Sequence, residues 1–317
     1  MALTRRALIM LGAAATLSAP SLAACGSSLS GVQLRVATGG TGGVYYTLGS
    51  KLADAWASRL GVAKKVLQTS GSVQNLAALH KNTADVAFVA ADAAAKDGAK
   101  GLRALARIYD DYIQVLVRND SKINSLADLR GHAVSIGSDQ SGVKVVALNL
   151  LTTAGLPDTS PTYFQDTLHD SLTYLVAGQR DALFWSGGLP TPDITKTMKS
   201  HPDVPLRMLD LSTVDRANLP YYNVETVPQT SYPLLARSDK AVSTLAVHNL
   251  LMVREDMPDD EAEALVRTLF EVQPDLATDS DQVVSLAAQL IDPRSAIETA
   301  PIDLHPGALS YYRSAKV

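Results

Sequence analysis

The sequence predicts an α/β protein of two lobes, and three observations predict it. From Leu34 onward, short apolar strands alternate with amphipathic helical stretches, the order that builds a mostly parallel sheet with helices on its faces. That alternation breaks at the polar run Arg118-Asn119-Asp120-Ser121 and then restarts. With 317 residues, 46% hydrophobic and 19% charged, the chain is long enough for two cores and ordinary in composition.

Leu34-Arg35-Val36-Ala37 is a strand that runs into Thr38-Gly39-Gly40-Thr41-Gly42-Gly43. A helix follows, with Leu48, Leu52, Ala55 and Trp56 spaced to share one face. Four glycines between strand and helix leave the backbone bare, so its N–H groups can come close to a bound molecule. The helix start adds unpaired N–H groups and a positive dipole end, which suit a carboxylate or phosphate. Tyr45 and Tyr46, in the first turn, can close over such a ligand. A dinucleotide loop does not fit, because Tyr45 stands where G-x-G-x-x-G counted from Gly40 needs glycine.

Lys65 to Gln68 is the next strand, and Thr69-Ser70-Gly71-Ser72 leads into a helix carrying Val73, Leu76, Ala77 and His80, with Ser72 as its N-cap. Asp85 to Val89 is a buried-type strand that delivers Ala90, Ala91 and Asp92 to a loop. Leu102 to Ile108 is another, ending at Tyr109-Asp110-Asp111. In a sheet of this class ligands gather beyond the carboxyl ends of the strands, which brings together the glycine loop, Gly71, Ser72, Asp92 and Tyr109.

Tyr112 to Val117 is a separate strand ending at the polar break, the first crossing between lobes. A short capped turn at Ser125–Gly131 precedes a strand from Ala133 to Gly137. Ser138-Asp139-Gln140-Ser141-Gly142 then opens a helix from Val143 to Ala154, stopped by Gly155. A third strand, Asp181 to Trp185, enters Ser186-Gly187-Gly188 ahead of a helix from Pro192. There Trp185 can be core or the wall of a site. Leu206 to Leu211 is one more strand. Tyr221, Tyr222 and Tyr232 fall in a proline-punctuated stretch read as irregular and near the cleft mouth. Val242 to Val253 returns to the first lobe, and Asp256 to Glu263 opens an acidic helix start.

At the amino end, Thr4-Arg5-Arg6 precedes an apolar run, Ala7 to Leu17, too short to span a bilayer. Leu22-Ala23-Ala24-Cys25 follows and resembles a bacterial lipobox, in which the cysteine is lipidated and becomes the mature terminus. Two acyl chains hold a protein firmly at a membrane. Cys25 is the single cysteine, so no internal disulfide is possible. The expected organisation is a signal segment 1–24, a tether 25–31, a first lobe of 32–117 with 246–317, and a second lobe of 118–245. Such a chain is extracytoplasmic and lipid-anchored at Cys25. The net charge of −4 argues against a nucleic-acid partner.

Catalytic chemistry finds no support. The six histidines have no metal-ligand spacing, and neither Ser141 nor Ser186 has the glycine two residues earlier that a nucleophile elbow needs. Asp110-Asp111 and Asp259-Asp260 are adjacent, which points their side chains apart. No lysine-bearing phosphate loop is present. The expectation is a binding protein, not an enzyme, with no cofactor and no metal. Its candidate ligand residues are Thr38, Gly42, Gly43, Tyr45, Gly71, Ser72, Asp92, Tyr109, Ser138, Ser141, Trp185, Gly187 and Gly188. Arg107 can equally pair a ligand carboxylate or one of Asp92 and Asp110.

Several of these segments together resemble the TAXI family, the solute-binding subunits of a class of TRAP transporters. They are Ala37 to Tyr46, Gly71 to Leu76, Ala84 to Phe88, Ser125 to Gly131, Asp181 to Phe184 with Gly188-Leu189-Pro190, and His305-Pro306-Gly307-Ala308. The resemblance implies a type II periplasmic-binding-protein fold whose two α/β lobes close on a ligand cleft. It also implies a small organic-acid or amino-acid ligand, such as glutamate or glutamine, and a TRAP membrane permease as partner. A membrane sensor kinase is the alternative partner. Two departures stand out. Ser138 to Gly142 replaces the family's usual Gly-Ser-Gly-Thr loop, setting Asp139 beside the expected carboxylate site. Thr47 replaces a proline.

Overall fold

The computed structural model describes residues 29–41, 43–156, 160–217, 219–236 and 241–316. The expected signal segment, Cys25 and Gly42 lie outside the described residues.

The first lobe grows from β1 (Gln33–Ala37), α1 (Val44–Leu60), β2 (Ala63–Leu67), α2 (Ser72–His80) and β3 (Val86–Ala90), with β2 and β3 each parallel to β1. No loop follows β3, because α3 (Ala91–Asp97) starts at the next residue. The run 102–118 is one continuous strand, β4 (Leu102–Arg118), and not two strands separated at Tyr109–Asp111. Two adjacent aspartates look like a break, but a strand sends them to opposite faces and gives each its own surroundings.

The second lobe carries β5 (Ala133–Ser135), α4 (Gly142–Thr153), β6 (Thr162–Phe164), α5 (Leu168–Val176), β7 (Ala182–Gly187), α6 (Pro192–Ser200), β8 (Leu206–Met208) and β9 (Tyr222–Val227). Here β5 is parallel to both β6 and β7. The chain returns along β10 (Val242–Arg254) and finishes with α7 (Asp259–Leu276), α8 (Gln282–Gln289), α9 (Pro293–Ala296) and α10 (Pro306–Ala315).

All ten strands join one sheet in the order β2-β1-β3-β10-β4-β7-β5-β6, with β8 on β4 and β9 on β10. It is mixed, not mostly parallel, because β4 and β10 lie antiparallel at its centre and link the two lobes. β4 pairs with β10 along Leu102–Tyr112 and with β7 along Tyr112–Val117, so its partner changes at Tyr112.

One face of the first lobe packs α1 against α7 and α8, with α10 laid on α7. Leu48, Leu52, Ala53 and Trp56 are the buried stripe of α1, with Ala53 replacing the expected Ala55. The Trp56 indole N–H donates to the Leu265 carbonyl of α7 at 3.0 Å. On the other face α2, α3 and α4 share a core through Leu76, Leu79, Val146 and Leu150. Among the described residues no helix is long and apolar enough to cross a membrane.

Candidate ligand-binding site

A cavity of about 610 Å3 opens where the two lobes face each other. Helix starts ring it. Gly43 to Tyr45 bring the start of α1, Gly71 and Ser72 that of α2, Ser141 to Val143 that of α4, Thr167 to His169 that of α5, and Asp193 that of α6. The first N–H groups of each helix have no partner within it, so this ring presents donors and positive dipole ends to a shared space. Each start is built differently. Gly71 reaches φ 115°, where a side chain would be strained, and it is the N-cap of α2; Ser72, expected there, is the first helical residue. At α4, Ser141 is the N-cap as expected, its hydroxyl accepting from the Lys144 N–H at 3.2 Å.

Ser72 serves the sheet. Its Oγ accepts the Ala90 N–H at 3.0 Å and lies 3.4 Å from the Tyr45 hydroxyl. The Tyr45 hydroxyl donates to Asn249 Oδ1. Tyr45 also packs against Phe88 and meets Tyr109 edge-on at 6.4 Å. Burial holds both phenols well above the usual tyrosine range, so each stays a neutral donor.

Trp185 forms the opposing wall through a network the sequence did not suggest. Its indole N–H donates to Thr191 Oγ1 at 3.1 Å. The Thr191 N–H donates to the Tyr232 hydroxyl at 2.7 Å, which donates to Gln114 Oε1 at 2.7 Å. Tyr232 is therefore buried behind the wall, and burial pushes its hydroxyl up to about 12. Ser186 and Gly187 belong to β7 and not to a loop.

Of the candidates read from the sequence, Gly43, Tyr45, Gly71, Ser72, Tyr109, Ser138, Ser141, Trp185 and Gly187 line the cavity, while Thr38, Asp92 and Gly188 do not. Thr38 is consumed by structure: its hydroxyl donates to the Leu67 carbonyl at 2.8 Å and its carbonyl accepts from the Asn75 amide at 2.6 Å. The Gly188 carbonyl accepts from Thr191 Oγ1 at 2.9 Å. Asp92 turns inward because α3 begins without a loop. It accepts from the Tyr222 hydroxyl at 2.6 Å, and Tyr222 accepts from Asn149 of α4 at 3.1 Å. Tyr222, expected at the cleft mouth, is thus a buried tie between the lobes. A second tie is the Gln74 N–H of α2 donating to the Gln140 carbonyl ahead of α4 at 3.2 Å. Tyr222→Phe removes two hydrogen bonds, leaving Asp92 without the hydroxyl donor and the Asn149 amide without its acceptor. The expected cost is about 1–3 kcal/mol, read as a lower midpoint in urea.

Two further expectations change. Asp139 does not face the cavity: it pairs with Lys144 at 2.7 Å and lines a separate space of about 290 Å3. Arg107 is held by Asp110 and Glu298, each at 2.9 Å, and does not reach the cavity.

Three lining groups were not foreseen: Asp111, Asp166 and the start of α5. Asp166 is clamped by Arg180 at 2.9 Å and by the Ser135 hydroxyl at 2.6 Å, with the guanidinium 3.5 Å over the Phe164 ring. The start of α5 was readable. Thr167-Leu168-His169-Asp170 is a capping pattern, and Thr167 Oγ1 does accept the Asp170 N–H at 3.2 Å. Asp111 is only 7% exposed, and its Oδ1 has no hydrogen-bond partner among the described residues. Burial pushes its pKa up to about 7, Asp110 and Asp92 add to this, and Asn249 and Ser186 oppose it.

This fold, two α/β lobes joined by long strands with a cavity between them, is that of the two-lobed periplasmic solute-binding proteins. The chain belongs to the NMT1-like family, whose model matches residues 36–315. Among solved structures it is similar to XAC2383 from Xanthomonas citri bound to ATP, at 18% identity and TM-score 0.53, covering 89% of this chain and 98% of that one. A putative L-cystine ABC transporter from Listeria monocytogenes matches at 15% identity and TM-score 0.53, covering 82% and 98%. The GluR0 ligand-binding core from Nostoc punctiforme, in complex with L-glutamate, matches at 14% identity and TM-score 0.50, covering 82% and 100%.

Proposed function

We propose that this protein is an extracytoplasmic solute-binding lipoprotein of the TAXI type, anchored through Cys25, which captures a small carboxylate-bearing solute for a TRAP-type permease. The observation that carries this reading is the ring of helix starts around one cavity between two lobes. A carboxylate placed among them meets unpaired N–H groups and several dipole ends at once. Tyr45, Tyr109 and Trp185 supply walls, and closure of the lobes excludes water. We place the hinge in β4 near Tyr112 and in β10 near Ala246, close to the divisions expected at 117/118 and 245/246. Micromolar affinity needs about 8 kcal/mol, within reach of a few charge-assisted hydrogen bonds and one ring contact.

No reaction is assigned. Among the described residues no group of three His, Cys, Asp or Glu side chains is placed to hold a metal ion.

A thermal-shift screen against amino acids, dicarboxylates and keto acids tests the reading. A solute at about a hundred times its dissociation constant adds about 2.7 kcal/mol to stability. A selective rise with one chemical class is expected. A flat response from a protein that melts cooperatively would count against solute binding.

A further inference from the structure

The cavity is acidic. Among the described residues that line it are Asp111, Asp166 and Asp193, and there is no lysine or arginine. Asp166 already has its cation in Arg180, and Asp193 sits at a helix start, where the dipole favours it. Asp111 has neither. Its neighbour Asp110 points the other way and takes Arg107 at 2.9 Å and His248 at 3.1 Å, leaving no cation for Asp111. A buried carboxylate with one oxygen unpartnered, facing a space large enough for a solute, is a costly group for folding alone.

We propose that Asp111 is the subsite for a cationic nitrogen of the solute, and that the cleft therefore prefers ligands without net negative charge. The favoured class is an amino acid with a neutral or basic side chain, its carboxylate among the helix starts and its ammonium on Asp111. Dicarboxylates and acidic amino acids bring a second negative charge to a lining that already holds three carboxyl groups and, among the described residues, has His169 but no lysine or arginine to meet it. This inference rests on the solute-binding reading and narrows it.

Calorimetric titration with matched probes tests it on the unaltered protein. L-leucine, L-glutamine and L-arginine are compared with L-glutamate and succinate, and with their own amine-free counterparts 4-methyl-2-oxopentanoate, 2-oxoglutaramate and 5-guanidino-2-oxopentanoate. At least one neutral or basic amino acid should bind, with its amine-free counterpart weaker by about 100-fold. Asp111→Asn, checked by its melt, should lose a similar factor for the amino acid. Succinate or a keto acid binding as tightly as the amino acids, with Asp111→Asn unchanged, would overturn the subsite and leave the solute-binding reading standing. L-glutamate as the tightest probe would overturn the charge preference. No saturable heat from any probe, in a protein that melts cooperatively, would overturn both.

Discussion

Asp111→Asn is expected to stabilise the ligand-free protein at pH 8 and to leave it nearly unchanged at pH 4. The folded-state pKa of Asp111 is raised from 3.8 to about 7. Between those values the folded protein holds a proton on this group that the unfolded chain has released, so stability falls as pH rises through that window and is lowest above it. One pKa unit corresponds to about 1.4 kcal/mol, which sets the full loss on the order of 4 kcal/mol. Asparagine keeps the shape and carries no charge at any pH. Other groups also titrate, among them Asp110, held below the usual carboxylate range by His248 and Arg107 against the opposing effect of burial, and His305, whose pKa burial lowers. They are common to both proteins and largely cancel in the difference. Urea titrations of the two proteins from pH 4 to 8 should diverge progressively, the variant being the more stable at the upper end. Parallel curves would mean that Asp111 titrates as an ordinary carboxylate.

The second large effect lies far from the cleft. Gly307→Ala should destabilise the protein by about 3 kcal/mol, the upper end of ordinary overpacking. A Cβ on Gly307 would fall 2.0 Å from the Asp259 carbonyl oxygen and 3.0 Å from the Ala262 Cβ, so α7 and α10 would have to separate. Backbone cannot swing aside as a flexible side chain can. This accounts for much of His305-Pro306-Gly307-Ala308: His305 caps α10 by accepting the Gly307 N–H at 3.2 Å, Pro306 occupies the first helical position, and Gly307 lets the helices touch. A melting temperature lower by several degrees is expected, and an unchanged one would show that the contact can relax.

Much of the fold was legible because local rules and tertiary needs agreed. The glycine run before α1, the serine cap of α4 and the Pro192 start of α6 each announce a helix start, and all three helices point their starts at the cavity. Legibility failed where burial overrode local pattern. Asp110 and Asp111 read as a break, yet they sit inside a 17-residue strand, one paired and one facing the cleft. Tyr222 and Tyr232 fall in a proline-punctuated stretch that reads as irregular and near the cleft mouth, yet both are buried, Tyr222 opens a strand, and each hydroxyl donates to a partner more than a hundred residues away. No spacing rule reports such partners. Asp92 and Thr38 failed for a related reason, since a polar residue at the end of a strand can face inward as readily as toward the ligand.

The most direct test of solute capture in this cleft is a fluorescence titration that follows Trp185. The chain has two tryptophans; Trp56 lies fully buried between α1 and α7, whereas Trp185 lines the cavity. An amino acid that stabilises the protein should change the emission saturably, with one ligand bound per chain, and Trp185→Phe should abolish the change while leaving the Trp56 signal in place. A stabilising solute that leaves the Trp185 emission untouched would contradict the account, because it would be binding somewhere other than between the lobes.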